Sequence, residues 1–376
     1  MWTKIVDIWE NFANKVMTRK YDKFFDKLYH YARISYILEI KAFYLKKNYK
    51  LSRRQKKEIK IYWGKFIKKI NYNSHNFYTN HSGKFDVRYI PDDIYAKYID
   101  SYFNNARIVN GYNDKNYLDL FLNGFPLPQT YVRIINNQIQ NKEYENITEN
   151  QAVKLLLNKN FLIKPTVCTS EGNGIQFFKN ATAQEIKSLL RRNNIIFQEI
   201  IEQSDLLAKL NKNSVNTIRI MTLNLDGNVY TLNSVIRFGR NGSIVDNASA
   251  GGLFCGIKED KTLTETAFDI HGNKFIDYLK TINYDNKPLQ FLDKARNLVK
   301  DASKRFAHFK LIGWDIAINK NNEPIIIEAN LETCIPDMLQ IATGPLFGNL
   351  TDRVLSKVFN MQEKVYKVGI DTNQYI

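Results

Sequence analysis

The chain has 376 residues, 54 Lys and Arg against 38 Asp and Glu, and 44% hydrophobic residues. That length suits two or three structural units or one large one, and the apolar fraction excludes wholesale disorder. No stretch approaches the roughly 18 consecutive apolar residues of a membrane span, the start lacks the apolar core of a secretory signal, and Cys168, Cys255 and Cys334 form neither a disulfide framework nor a zinc cluster.

A cytoplasmic protein is therefore expected. Its charge is gathered at one end. Residues 1–80 hold 19 Lys and Arg against 6 Asp and Glu, a surplus of 13, which leaves a surplus of only 3 for the other 296 residues. Residues 1–30 and 31–48 read as amphipathic helices. Across 41–70, Phe43, Tyr44, Ile59, Tyr62, Trp63, Phe66, Ile67 and Ile70 recur three and four apart, which is helical spacing. Ser52 is placed to cap a helix start. This basic stretch has three readings. It is a helical pair with an aromatic face on the body and a solvated cationic face. Or it attracts an anionic membrane or a phosphate-bearing substrate. Or it binds nucleic acid, which charge favours but no zinc finger, basic zipper or RNP motif supports.

Residues 71–92, polar and aromatic, are expected to form a loop ending at Pro91. A helix carrying Tyr95, Tyr98, Ile99 and Tyr102 follows. Residues 116–139 read as helix, Gly-Phe-Pro turn and strand. Beyond 150 the texture turns β-rich. Residues 161–167, 195–201, 217–225, 228–239, 311–318 and 324–331 are strands by composition. Helices fit 182–193 and 288–307. The fold class expected is α+β, bordering on α/β, with antiparallel meanders and flanking helices.

Three constellations carry chemistry. Asp315 lies in one apolar strand, and Glu328 with Asn330 in the next, joined by the polar turn 319–323. Residues two apart on a strand share a face, so a hairpin brings all three together. Two carboxylates and a carboxamide oxygen suit a hard dication such as Mg²⁺, with phosphates and water completing its shell. The alternative is the solvent face of an ordinary hairpin, which the apolar strands argue against. Second, Lys164 ends a strand before a Thr/Ser/Gly-rich loop reaching residue 175. Small residues there let backbone N–H groups approach phosphate oxygens, although a plain hairpin loop reads the same way. Third, Arg219, Arg237 and Arg240 lie in or beside apolar strands and require anions, either a ligand or an internal Asp226 or Asp246. Gly251-Gly252 permits a sharp turn or close backbone approach.

In this order the segments resemble the ATP-grasp fold, with D-alanine–D-alanine ligase-type enzymes as familiar members. The residues NTIR at 216–219, SVIRFGRNGSIVDNASAGG at 234–252, AFDIHG at 267–272, LIGWDIAI and IIIEAN are similar, more narrowly, to the sugar-transfer-associated ATP-grasp family. The resemblance covers about residues 40–350. It implies a basic helical region over 1–80, an associated subdomain over 81–150, a nucleotide-binding and catalytic domain over 151–360 and a tail over 361–376. It implies ATP and Mg²⁺ as cofactors. Lys115 and Lys164 match the nucleotide lysines, with Gly172 and Gly174 in the phosphate-covering loop. Gln198, Glu199 and Ile201 match the adenine hinge, and Asp205 is spaced like the ribose-binding acid. Asp315, Glu328 and Asn330 match the Mg²⁺ ligands. Many ligases of the fold carry an Arg near the first metal aspartate, where this chain reads Gly313-Trp314-Asp315. Arg219, then Arg237, is the replacement expected to stabilise the transferring phosphoryl group. Arg240, Asn247, Gly251 and Gly252 are expected to contact the acceptor.

The implied activity is a carboxylate–amine ligase working through an acyl phosphate, attaching an amino acid or other amine to a sugar acid in surface-polysaccharide (capsule) assembly. Its alternatives are a kinase that stops at phosphorylation and a non-catalytic nucleotide- or nucleic-acid-binding protein. The expected partners are a small-molecule or glycan-linked carboxylate and an amine, with residues 1–70 approaching an anionic membrane surface or lipid-linked glycan. No nucleic acid is expected.

Overall fold

The structure is a computed structural model that describes residues 50–167, 174–247, 251–331 and 336–360. The helices expected before residue 49, the tail after 360 and Gly172 lie outside the described residues.

Two antiparallel sheets organise the chain. The smaller has the order β2-β1-β5-β3-β4, built from β1 (Thr130–Ile135), β2 (Gln138–Gln140), β3 (Phe161–Pro165), β4 (Gln176–Phe178) and β5 (Ile195–Glu199). The larger has the order β10-β9-β8-β7-β6-β11-β12. Its strands are β6 (Thr217–Leu225), β7 (Asn228–Phe238), β8 (Leu253–Gly256), β9 (Ala267–Phe268), β10 (Lys274–Phe275), β11 (Leu311–Ile318) and β12 (Pro324–Asn330). The helices that matter below are α1 (Arg53–Trp63), α2 (Asn73–Ser82), α3 (Glu149–Leu156), α4 (Ala183–Leu189), α5 (Leu292–Ser303), α6 (Asp337–Thr343) and α7 (Thr351–Asn360).

Alternation decides what each face of the large sheet covers. Ile218, Ile220, Ile236, Ile312, Trp314 and Ile316 point one way, onto Leu292, Ala295 and Val299 of α5. Met221, Leu223, Val235, Phe254 and Leu311 point the other way, onto Ile59 and Trp63 of α1, Phe77 and Tyr78 of α2, and Leu339 of α6. The small sheet buries Val132, Ile163 and Phe197 against Ala152, Leu156 and Ile186 of α3 and α4. Ser52 and Gln55 form a capping box at the head of α1, so the start read from the sequence has its physical cause there.

Two sequence expectations change. Residues 73–82 form a helix where a loop is expected. Its Asn, Ser and Thr are weak helix formers, but Ser74, Phe77, Tyr78 and His81 recur on one buried face, and packing overrides propensity. Gly83, at φ +73°, ends it. The helices expected over 182–193 and 288–307 are shorter, 183–189 and 292–303.

The basic segment over 53–63 is seated on the body by Ile59 and Trp63, which are fully buried, while Arg53, Arg54, Lys56, Lys57 and Lys60 are exposed. Trp63 Nε1 donates to the Val87 carbonyl at 2.8 Å.

Candidate active site

The site lies where one face of the large sheet meets the end of the small one. β11 registers Asp315 against Arg219 of β6 on one side and Glu328 of β12 on the other. β6 registers Thr217 against Arg237 of β7. Paired residues share a face, so Thr217, Arg219, Arg237, Asp315, Glu328 and Asn330 converge. A bulge between Asp315 and Ile316 breaks the register beside them; bulges re-aim side chains at such places.

Asp315 is almost fully buried and held by two guanidiniums. Arg219 reaches it with Nε at 2.5 Å and Nη2 at 3.0 Å, and Arg237 Nη2 stands 3.1 Å away. Burial pushes its carboxyl up, but the two arginines outweigh burial and hold it at about 2. Asn330 Nδ2 lies 3.5 Å from Asp315 Oδ2 and donates to the Gly313 carbonyl at 3.1 Å. Arg237 also stands 3.5 Å from Asp246 and donates to Thr217 Oγ1 at 2.8 Å. Thr217 in turn donates to Asp246. Asp226, the other internal acid considered for these arginines, pairs instead with Arg353 and Lys357.

The small sheet and the short helix before it contribute cations. Lys115 opens the short helix Lys115–Tyr117; its N–H donates to the Thr166 carbonyl at 3.0 Å, and its ammonium stands 3.3 Å from Glu328. Asn116 fixes that turn by donating to Thr166 Oγ1 at 2.8 Å. Lys164, on β3, is 9% exposed, and its ammonium makes no ion pair or hydrogen bond among the described residues. Burial, helped by the Lys115 charge and opposed by Glu328, pulls it down to about 8. A buried ammonium without a counterion is costly and suits an anionic ligand.

The remaining sequence candidates are spread around this centre. Gly174 has φ +81°, and a Cβ there would sit 2.8 Å from the Pro165 ring. Gln198 is buried on β5 and donates to Thr130 Oγ1 at 3.2 Å. The Glu199 N–H is already given to the Gln129 carbonyl at 2.9 Å, and its carboxylate accepts the Gln129 N–H. Ile201 follows β5, and Asp205 is exposed at the head of the short helix Asp205–Ala208. Arg240 donates to the Gly251 carbonyl at 2.8 Å and stacks 4.9 Å from the Phe275 ring. Asn247 accepts the Gly252 N–H at 3.0 Å. A Cβ at Gly252 would lie 2.5 Å from the Asp246 carbonyl oxygen, so that close approach requires glycine.

Among the described residues no three His, Cys, Asp or Glu side chains form a metal-binding group. The candidate set is two carboxylates and a carboxamide. These hard oxygens, beside two lysines and two arginines, fit a dication bound together with phosphates. Cys255 is buried and its thiol is pushed up to about 12 by burial, so it packs and does not react.

Sequence reading passed over Thr217, Asp92 and Asp337. Thr217 was detectable two residues before Arg219 on the same strand face. Asp337 is 8% exposed at the start of α6 and gave no sequence signal.

The sugar-transfer associated ATP-grasp family matches residues 94–355. This chain belongs to that family. Solved ATP-grasp structures are more distant. The ATP-grasp ligase PsnB, complexed with minimal precursor, Mg and ADP, is 12% identical with a TM-score of 0.41, over 68% of this chain and 62% of that one. The D-alanine-D-alanine ligase from Coxiella burnetii is 13% identical with a TM-score of 0.39, over 69% and 60%. D-cycloserine synthetase DcsG is 14% identical with a TM-score of 0.39, over 67% and 73%. This family member thus spans 62% of the PsnB chain's length. A comparison with curated proteins finds none that matches in sequence.

Proposed function

We propose that this ATP-grasp protein is an ATP- and Mg²⁺-dependent carboxylate–amine ligase that couples an amine to a sugar acid in surface-glycan assembly. The observation that carries the reading is Lys164: a buried ammonium without a counterion among the described residues, near the Lys115–Glu328 pair and the Asp315 cluster. A triphosphate supplies the missing negative charge. Family membership supports ATP as its source, and the family's sugar-transfer association supports the glycan.

In this reading Asp315, Glu328 and Asn330 hold Mg²⁺, which supplies neutralisation of phosphate charge when bound. Lys115 and Lys164 position the phosphates. Arg219 and Arg237 line the same face and stabilise charge on the transferring phosphoryl group. The substrate carboxylate attacks the γ-phosphorus, ADP leaves, and the amine then displaces phosphate from the acyl phosphate. Gly174 borders the phosphates, Gln198, Glu199 and Ile201 border the base, and Asp205 binds the ribose. Arg240, Asn247, Gly251 and Gly252 meet the acceptor. The cationic outer face of α1 brings the enzyme to an anionic membrane surface or lipid-linked acceptor.

The test is Mg²⁺-dependent ADP release with pooled amino acids and pooled nucleotide-linked uronic acids, wild type against Glu328→Ala. Release that needs both pools and is lost in the variant supports the ligase. Release with the uronic acids alone, leaving a stable phosphorylated product, replaces it with a kinase.

A further inference from the structure

Arg240 presents a guanidinium that is fixed in place but not neutralised. β7 and β8 pair Arg237 with Phe254 and Phe238 with Leu253. Carried two residues further, that antiparallel register sets Arg240 opposite Gly251, and Arg240 Nε donates to the Gly251 carbonyl at 2.8 Å. The guanidinium also lies 4.9 Å from the centre of the Phe275 ring. Phe275 meets Tyr278 edge-on at 6.2 Å, and Tyr278 stacks on Phe238 at 5.9 Å. One hydrogen bond and one aromatic shelf therefore hold the plane of the guanidinium. Its two Nη groups make no ion pair or hydrogen bond among the described residues.

The fork is open to a ligand and joined to the phosphate-binding face. Arg240 is half-buried, and a Cβ added at Gly251 would meet no atom of the described residues within 4 Å, so space adjoins the guanidinium. The next residue, Gly252, donates its N–H to the Asn247 carbonyl at 3.0 Å and packs against the Asp246 carbonyl. Asp246 stands 3.5 Å from Arg237, and Arg237 stands 3.1 Å from Asp315. Two lysines of the same edge are engaged elsewhere: Lys274 donates to the Asn80 carbonyl at 3.1 Å, and Lys280 pairs with Asp277 at 2.7 Å. Arg240 thus offers a single positive charge against aromatic walls. Its planar pair of Nη donors matches the two oxygens of one carboxylate. A diphosphate would call for more cations.

We propose that Arg240 clamps the carboxylate of the amine substrate, so that the amine is delivered by an α-amino acid. This rests on the ligase reading above and names the class of its amine. In an α-amino acid the nitrogen stands two bonds from the carboxyl carbon. Two Nη–H···O bonds to that carboxylate therefore also fix where the nitrogen can go. The clamp has a second consequence. It withholds the amino acid's own carboxylate from the nucleotide, which leaves the sugar's carboxylate to take the phosphoryl group. An amine without a carboxylate would leave the fork unpaired and be rejected on that ground.

The test has two arms. In the first, ADP release with pooled uronic acids is measured with pooled amino acids and with the same amino acids as carboxamides, which keep the amine and the side chain. Wild type is expected to prefer the acids roughly 100-fold in kcat/KM. Equal use of the carboxamides overturns the proposal and leaves the ligase standing. Arg240→Lys is expected to raise the KM for the amino acids roughly 10- to 100-fold, to leave the KM for ATP in place and to narrow the preference over carboxamides. Equal losses with acids and carboxamides would mean a disturbed fold around Gly251 and overturn the clamp. The second arm needs no turnover. The protein carries 15N-arginine, the Arg240 Nε–H signal is assigned by its absence in Arg240→Lys, and sodium acetate and sodium pyrophosphate are titrated separately. A saturable shift with acetate is expected. No response to acetate, or a tighter response to pyrophosphate, overturns the proposal; the latter gives the fork to a phosphate-bearing acceptor. Absence of ADP release in wild type overturns the ligase reading, while the second arm still decides whether Arg240 binds a carboxylate.

Discussion

At the residue scale, the site stores unfavourable charge. Lys164 is held at about 8 by burial and by Lys115, below the ordinary lysine value of about 10.4. Its charged form is therefore disfavoured by folding. The cost is full below pH 8 and vanishes as pH rises past the unfolded value. Lys164→Met is expected to raise the stability of the ligand-free protein by up to about 3 kcal/mol at pH 7, while ADP release collapses. Denaturant unfolding and turnover, measured on one preparation, check both halves. Loss of stability together with activity would mean that Lys164 is a structural cation. Asp337 is the mirror case. Its folded value of about 7 lies above the unfolded carboxylate value of about 3.9. The cost is absent below about pH 4, grows through pH 7 and is full above it, so Asp337→Asn is expected to stabilise the protein at pH 8 by up to about 4 kcal/mol and to change nothing at pH 4. Unfolding midpoints at the two pH values give the answer.

At the scale of elements, the strands of the large sheet were legible because their residues agree with one another. In 311–318 and 324–330, apolar residues and a polar turn dictate a hairpin, and period-two alternation then puts Glu328 and Asn330 on the Asp315 side. The arginine pairing was half legible. An Arg in an apolar strand demands an anion, but the choice between Asp226, Asp246 and a ligand is set by register across β6, β7 and β11, which no local pattern encodes. The α2 helix was not legible, since Asn, Ser and Thr dominate its text and its reason to be helical is the surface it lands on. Asp337 was hidden for a similar cause: its environment comes from Asp92 and Arg219, more than a hundred positions away. His75 on α2 illustrates the energetics of that landing. Burial pulls its imidazole down to about 4, against an unfolded value of about 6.5. Below pH 6.5 the unfolded chain takes up the proton first, so stability falls as pH drops to 4, by up to about 3 kcal/mol. His75→Gln is expected to flatten that acid limb relative to wild type. Chemical unfolding between pH 4 and 7 reads it directly.

At the scale of the whole molecule, segments that flank the small sheet meet the large sheet through polar links. Lys115 bridges to Glu328, Ser204 N–H donates to the Ile318 carbonyl at 2.9 Å, and Ile326 N–H donates to the Pro126 carbonyl at 3.0 Å. A ligand with several negative charges, seated between Lys164 on one sheet and Arg219 on the other, would tie them together. Mg-ATP at a hundredfold excess over its Kd is expected to add about 2.7 kcal/mol of stability. Thermal unfolding with and without nucleotide measures it, and Lys164→Met is expected to lose most of the gain.

The double hydrogen bond between Gln340 and Ile90 bears on how such a protein can be inherited and cut. The family match begins at residue 94, yet α1 and α2 lie before it and cover Met221, Leu223, Val235 and Phe254. A chain begun at residue 94 would keep Lys115, Lys164, Arg219, Arg237, Asp315, Glu328 and Asn330 and leave part of an apolar sheet face open to water. Such faces drive self-association, so that shortened protein is expected to precipitate. Homology and autonomy part company here: the segment that the family match spans is smaller than the segment that covers the sheet.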